Sequence, residues 1–384
     1  MDPNDPDSMT QSDTTNHTAQ LTGLRTRIDA LDSQLQELLC ERGRLAQEAG
    51  RIKASMGIHA ACQYRPAREA QVLRAIKARN KGPFSDEVIV RLMREILSAC
   101  LYLESPLQVA YLGPAGTFTQ AAAAKHFGGF AEQLPMRTIA EVFRSVEGGQ
   151  AHFGVVPIEN STEGVVTHTL DLFVRSPLRI CGEVEVVVHQ CLLGHVDQGA
   201  SIEAMPLGRI ERVLAHEQSL AQCRQFLERH LPRAERMAVS SNAEAARLAA
   251  EHSTWAALGS RSAADVYGLA VLAANVEDDP NNTTRFLIIG HNDPEPTGHD
   301  KTSLLLATRN ESGALYGLLE PLARHGLSMV RIESRPSHRD PWDYHFFLDI
   351  EGHAAEARLA GALEDIKQKA IFFKLLGSYP SAVS

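Results

Sequence analysis

Three patterns in the 384 residues predict a multidomain chain with an all-α first domain, an α/β second domain and an α+β third domain. Apolar residues at steps of three and four run Leu21, Leu24, Ile28, Leu31, Leu35, Leu38, Leu45, Ala49 and Ile52, the stripe of one long helix. From 107 to 290 short apolar runs alternate with helical patterns, which implies a mainly parallel sheet covered on both faces. From 301 to 384 the order strand, helix, strand, strand, helix, strand is ferredoxin-like.

Residues 1–17 are polar and acidic and read as a disordered tail. The helical domain, 18–104, opens with a helix from about Leu21 to Lys53. A second helix starts at Arg65-Pro66, where the missing N–H of proline costs nothing. A third runs from Ser85, an N-cap with Glu87 nearby, to Glu104, and Ser105-Pro106 closes the block. In the α/β domain, 107–290, strands fall at 107–112, 153–158, 184–189, 212–215 and 286–289, with a helix over 217–231. HNDPEPTGHD, 291–300, reads as a linker. The last domain, 301–384, carries strands at 303–307, 328–334, 344–350 and 372–375 and helices at 314–325 and 354–370.

A net charge of −9 argues against a nucleic-acid surface. No apolar run is long enough to span a bilayer, and the N-terminus lacks the features of a signal peptide. Six scattered cysteines without a CxxC pair suit a reducing cytoplasm. His189, Cys191 and His195 lack a completing ligand at a familiar spacing, so no metal is expected.

The apolar stripe is interrupted by Arg42. A cation in such a seam needs either an acidic side chain from elsewhere or a ligand anion. Lys53 lies eleven positions on, roughly 16 Å along a helix, close enough to share a small anion with Arg42. Arg25 lies seventeen positions earlier, roughly 25 Å away, and reaches the same site only from an antiparallel partner chain. Otherwise Arg25 and Lys53 are solvated surface charges. Glu104 and Cys100 continue an apolar face, where Glu104 is either the solvated end of its helix or a protonated donor.

The runs LTGLRTRIDALDSQLQELLCERGRLAQEAGRIK, YRPAREAQVLRAI and RLMREILSACLYLE resemble the all-helical chorismate mutases across residues 18–104. The resemblance implies an intertwined helical dimer with sites shared between chains. It places Arg25 of the partner, Arg42 and Lys53 on the substrate carboxylates and Arg68 and Glu69 at the ring hydroxyl, with Cys100 and Glu104 completing the cage. The reaction is pericyclic, so holding a compact conformer and stabilising charge on the ether oxygen suffices, and no cofactor is expected. Some members carry Gln at Glu104 and Ser at Cys100. Glu104 donates only when protonated, so mutase activity is expected to fall as pH rises.

In the middle block a Gly-rich strand-to-helix turn, GPAGTFT, is a weak anion-site signal by itself. Read in order, VAYLGPAGTFT, GVVPIENSTEG, HEQSLAQC, SSNAEAA and TTRFLIIG resemble prephenate dehydratase over 107–290. That family has two α/β lobes, like a periplasmic binding protein, with the site between them. The resemblance gives Thr284 the catalytic role, Glu159 the role of alternative acid, and Arg285 a substrate carboxylate. Thr117, Thr119, Asn160, Ser161, Thr162, Gln218 and Phe286 are the substrate-binding candidates. Aromatisation drives loss of CO2 and hydroxide, again without a cofactor.

Asn310, Gly313, Ala314 and Leu315, with Glu333, Ser334, Arg335 and Pro336, resemble the two phenylalanine-binding motifs of an ACT domain over 301–384. Here Ser312 stands where proline is usual. The resemblance implies pairing of such domains across chains and feedback inhibition by L-phenylalanine. The joint expectation is a cytoplasmic bifunctional enzyme acting on chorismate and prephenate, at least dimeric, with no nucleic-acid or membrane partner. A helical block that only dimerises, or a non-catalytic amino-acid sensor, are the other readings the residues allow.

Overall fold

The computed structural model describes residues 6–57, 64–196, 207–309, 311–336 and 344–382, with side chains from His17 onward. The helical block has three helices: α1 (Pro6–Ser55), α2 (Pro66–Arg79) and α3 (Asp86–Glu104). Helix α1 includes residues 6–17, which the sequence placed in a disordered tail. Pro6 occupies a first-turn position, and neither glycine nor proline interrupts the chain before Gly23. The C-terminal half of α1 rests on α3, and Gly50 makes that approach possible: a Cβ there would lie 2.8 Å from Glu104 Cγ. The apolar stripe, expected to be buried, faces outward within one chain, with Leu31 and Leu38 each 63% exposed.

Two sheets build the middle block. The first has the order β2 (Glu132–Met136), β1 (Gln108–Leu112), β3 (Phe153–Asn160), β11 (Thr283–Gly290), β5 (Arg179–Val187), with the short β4 (Gly164–Val165) against β3. Strands β1 to β3 are parallel, whereas β11 runs antiparallel to both neighbours. The second has the order β10 (Ala270–Ala273), β6 (Cys191–Gly194), β9 (Trp255–Gly259), β7 (Arg212–Ala215), β8 (Glu235–Ala238), with β7, β8 and β9 parallel and the other pairs antiparallel. The chain passes between lobes twice, after β5 and after β10. The two crossings are stitched by Val188 N to Asn282 O (2.7 Å) and Val276 N to Gln190 O (2.9 Å). Helices α4 (Phe118–Phe127), α5 (Ile139–Glu147) and α6 (Thr167–Arg175) belong to the first lobe. The second lobe holds α7 (Glu217–Gln222), α8 (Arg224–His230), α9 (Asn242–Ala250) and α10 (Arg261–Tyr267). The single helix expected over 217–231 is split at Cys223, whose backbone (φ −111°, ψ 19°) departs from helix geometry.

The C-terminal block is β12 (Asp300–Ala307), α11 (Ala314–Arg324), β13 (Met329–Pro336), β14 (Tyr344–Glu351), α12 (Ala357–Lys369), β15 (Phe372–Pro380), in the sheet order β13-β14-β12-β15. This is the ferredoxin-like arrangement. Leu304 and Leu306 face the helices, while Leu305, Phe347 and Tyr379 join the core of the first lobe with Ile180 and Leu287. Alternation along each strand thus gives one sheet two cores. Gly377 lets β15 touch β5, since a Cβ there would collide with the Ile180 backbone.

Helix α2 docks the helical block onto both neighbours. Leu73 and Tyr64 are 2% and 4% exposed, and Tyr64 packs among Phe127 and Phe153 of the first lobe. Arg74 reaches Thr297 Oγ1 (2.9 Å) and His299 O (3.0 Å), so the segment read as a linker is held in place. Glu69 lies in this junction. Burial raises its carboxyl from 4.5 to about 7, against the opposing pull of Arg94 and a hydrogen bond from Tyr64. His126, 3.1 Å from the Tyr64 hydroxyl, is pushed down to about 3 by burial and by Arg94.

A carboxyl raised on folding contributes stability that is complete below its unfolded pKa and is lost as pH rises through the folded one. Glu69 therefore costs stability between pH 4.5 and about 7. His126, kept neutral, has the opposite slope over its own window of about 3 to 6.5. Comparing wild type with Glu69→Gln isolates the first effect. Unfolding melts at pH 5 and pH 8 are expected to show the variant losing less stability on going to pH 8, by up to about 3 kcal/mol. Equal losses would disprove the assignment.

Candidate functional site

The lobes enclose a cleft of about 430 Å³. Antiparallel pairing sets Thr284 of β11 opposite Asn160 of β3, and both line it. Asn160 Oδ1 accepts from the backbone N–H groups of Thr162 and Glu163, each at 3.0 Å. That fixes the amide orientation, so Asn160 Nδ2 donates to Asn282 Oδ1 (2.7 Å) and to Thr284 Oγ1 (2.8 Å). The Thr284 hydroxyl accepts from an amide and keeps its own proton for a group in the cleft.

Across the cleft, Asn242 Nδ2 donates to Ser219 Oγ (2.7 Å), which also accepts from Gln190 Nε2 (3.2 Å). Glu163 closes one end: its carboxylate accepts from Gln218 Nε2 (3.1 Å) and Gln222 Nε2 (3.4 Å) of the other lobe. Among the described residues neither lysine nor arginine lines the cleft. Instead α4, α6 and α9, of nine or ten residues, start at its wall, at Thr117, Val166 and Ser241. Their N-terminal dipoles face a wall without cations among the described residues.

The candidates of the middle block divide into two sets. Thr117, Thr119, Asn160, Gln218, Thr284 and Phe286 line the cleft. The Thr117 hydroxyl is occupied, donating to Leu112 O (3.1 Å) and accepting from Gln120 N (3.4 Å) as the α4 cap. Ser161 is also structural, its Oγ accepting from Thr283 N (2.9 Å), and Thr162 contributes its backbone N–H to Asn160. Glu159 and Arg285 are on the opposite face of the sheet, because neighbours in a strand point to opposite sides. Arg285 Nε meets Glu183 Oε2 (2.8 Å) and its Nη1 meets Asp349 Oδ2 (2.6 Å); Glu159 Oε2 meets Arg331 Nε (2.9 Å). This corrects the expectation that Arg285 binds a substrate carboxylate and Glu159 acts as an acid. The period of two along TTRF carried the signal. Glu163, Gln190, Ser219, Gln222 and Asn242 were not singled out from sequence, although four of them lie in or beside the quoted motifs.

The candidates of the helical block do not all meet within the described chain. Lys53 Nζ lies against Glu104 Oε1 as an ion pair. Lys53 and Arg68 line one cavity beside residues 292–295, whereas Glu69 lines a separate one in the junction. Arg25 is exposed and Arg42 half-buried, and among the described residues neither has an acidic partner within 4 Å. Cys100 is buried in α3.

In the C-terminal block Asn310 is outside the described residues. Gly313, at φ +81°, caps α11 from the left-handed region, and Ala314 and Leu315 begin that helix. Glu333 to Pro336 end the edge strand β13. Arg335 pairs with His345 in register, and His345 with Ala307, so both motifs fall at one end of the sheet. Arg335 itself contacts Asp171 of α6 at 3.1 Å. His189 contacts Glu277 (2.7 Å) and His195 the Ala250 carbonyl (3.1 Å).

The model of the prephenate dehydratase family matches residues 109–294, that of chorismate mutase type II residues 24–105, and that of the ACT domain residues 302–368. A bifunctional chorismate mutase/prephenate dehydratase of Pseudomonas aeruginosa is 50% identical over 95% of this chain and 98% of its own length. A solved prephenate dehydratase from Arthrobacter aurescens, in complex with L-Phe, is 34% identical at a TM-score of 0.64. It matches 71% of this chain and 90% of its own. A structure described as GqqA, a quorum quenching acylase, is 30% identical at a TM-score of 0.65, over 72% of this chain and 98% of its own.

Proposed function

The chain belongs to the family of bifunctional chorismate mutase/prephenate dehydratases, and on that premise we propose how its residues divide the work. It rearranges chorismate to prephenate, then converts prephenate to phenylpyruvate, CO2 and water. The bond that carries our dehydratase reading is Asn160 Nδ2 to Thr284 Oγ1. In the cleft the substrate's ring carboxylate leaves as CO2, its bonding electrons enter the ring, and the ring C–O bond breaks. The departing hydroxide takes a hydrogen bond from Thr284 and a proton from solvent. The N-termini of α4 and α9 hold the side-chain carboxylate. A lysine or arginine beside the ring carboxylate would stabilise it before it is lost and raise the barrier, and the cleft wall has neither among the described residues. An acyl-transfer reading has less support, because the only histidine in the wall among the described residues, His216, uses Nδ1 to accept from Gln218 N at 3.4 Å.

For the mutase, Arg42, Lys53 and Arg68 of one chain and Arg25 of a second form the anion cage, with Glu104 and Cys100 at its far side. The support is the exposed stripe on α1. Eight of its leucines and isoleucines, from Leu21 to Ile52, are 51% to 63% exposed. Such a patch marks an interface, and a second copy supplies both its cover and Arg25. The ACT domain binds L-phenylalanine between paired copies at Gly313–Leu315 and Glu333–Pro336, beside the exposed Tyr316, Val330 and Ile332. The five described cysteines are unpaired, which suits the cytoplasm. Among the described residues no helix is long and apolar enough to cross a membrane.

Two experiments test these roles. Thr284→Ala is expected to lower kcat for prephenate by about a hundredfold or more, the usual loss for a transition-state donor. Thr284→Ser should keep most of the rate, and equal activity of Ala and Ser variants would refute the donor role. Replacing Leu31 and Leu38 together by Glu should shift the sedimentation coefficient towards a monomer. Mutase activity should fall at least about a hundredfold while prephenate turnover persists, because only the first site needs two chains. A monomeric variant with full mutase activity would rule out the shared site.

A further inference from the structure

The sheet that carries the catalytic pair is read from behind by the ACT domain. Thr284 is opposite Asn160, and the next pair in register is Arg285 opposite Glu159. The first pair faces the cleft. The second faces the C-terminal sheet, where Arg285 meets Asp349 of β14 at 2.6 Å and Glu159 meets Arg331 of β13 at 2.9 Å. Both catalytic strands are therefore tied to ACT strands one residue from their catalytic side chains.

The two ties differ in character. The Arg285 tie is saturated and buried: Arg285 is 12% exposed and Asp349 7%. Asp349 Oδ1 also accepts from Ser303 Oγ (2.6 Å), and Arg285 Nη2 donates to Tyr379 OH (3.1 Å). The Arg331 tie is looser. Glu159 is 39% exposed, and Arg331 Nη2 is buried without a hydrogen-bond partner. Arg331 also lies two residues before Glu333 on the strand that ends in the ESRP motif.

We propose that Arg285 and Glu159 are positioning residues through which the ACT sheet sets the alignment of Asn160 and Thr284. The Arg285–Asp349 pair anchors β11, and the Arg331–Glu159 pair is the adjustable tie on β3. A ligand that moves β13 then changes the Asn160–Thr284 contact without entering the cleft. This rests on the dehydratase reading above and adds a route from regulator to site that touches no substrate atom.

The test uses the full-length enzyme, with prephenate turnover and mutase activity measured on the same preparations. Asp349→Asn, a change on the far side of the sheet, is expected to lower dehydratase kcat about tenfold with KM within about twofold, and to leave mutase activity unchanged. Arg331→Gln should lower kcat by about threefold and shift the L-phenylalanine inhibition midpoint by a similar factor. Arg285→Lys should restore part of the rate lost in Arg285→Ala. The proposal fails if Asp349→Asn and Arg331→Gln lower the melting temperature but leave kcat unchanged, which is a purely structural tie. It also fails if Arg285→Lys raises KM while Asp349→Asn has no kinetic effect, since Arg285 then binds substrate. A wild-type enzyme without any prephenate turnover would instead refute the dehydratase reading itself.

Discussion

The antiparallel register of β11 on β3 is the constraint on which the rest depends. It sets Thr284 beside Asn160 on one face and Arg285 beside Glu159 on the other. A slip of one residue would exchange the faces, placing a guanidinium in the cleft and the hydroxyl in the domain interface. Both faces resist such a slip. The front has the Asn160 amide, whose oxygen is held by two backbone N–H groups. The back has a buried ion-pair cluster in which Glu183 receives both Arg285 and Lys301. Removing one partner of a buried pair costs about 3–5 kcal/mol, so the cluster fixes alignment even if it adds little net stability.

The electrostatics of the cleft follow from topology. Helices that follow parallel strands begin at the carboxyl ends of those strands, so their N-termini gather at one edge of each sheet. With the lobes facing each other, α4 and α9 point at the same space. This provides a diffuse positive potential without mobile cations. Such a field holds a dianion without pairing tightly with either carboxylate, which suits a reaction that must lose one carboxylate and keep the other.

The fold was legible in the sequence wherever a periodicity was long. The α1 stripe, the βαββαβ order and the strand at Arg212–Ala215 are all found where expected. The antiparallel strands β11, β5, β6 and β10 were not separable from parallel ones, because a short apolar run carries no direction. The candidate site was legible as motifs but not as faces. TTRF named Thr284 and Arg285 together, yet one backbone step separates cleft from interface. Glu69 shows the same limit on a helix. One step of 100° turns it from Arg68 and the cavity it shares with Lys53 towards Tyr64 and His126. Glu163 sits inside the ENSTEG motif, yet its role comes from Gln218 and Gln222 some sixty residues away, across the cleft.

Arg42 shows how far a single anomalous residue can be followed. Among the described residues of one chain there is neither a partner nor cover: the cation has no carboxylate within 4 Å, and the leucines around it remain exposed. By contrast, the dehydratase cleft is closed by two lobes of the same polypeptide, with its polar groups satisfied or aimed inward. The two sites therefore stand in different relation to assembly. A cleft between lobes of one chain needs a partner only for regulation. The proposed cage, whose Arg25 is about 25 Å out of reach along its own helix, needs one for chemistry. If the proposed shared cage holds, association through α1 is a precondition of the first reaction. The helical block is anchored through Leu73 and Arg74 to the first lobe and to the C-terminal segment, so a pairing at α1 would bring two dehydratase–ACT units together. On that proposal the exposed leucine seam would let one polypeptide carry a shared first site and a self-contained second one.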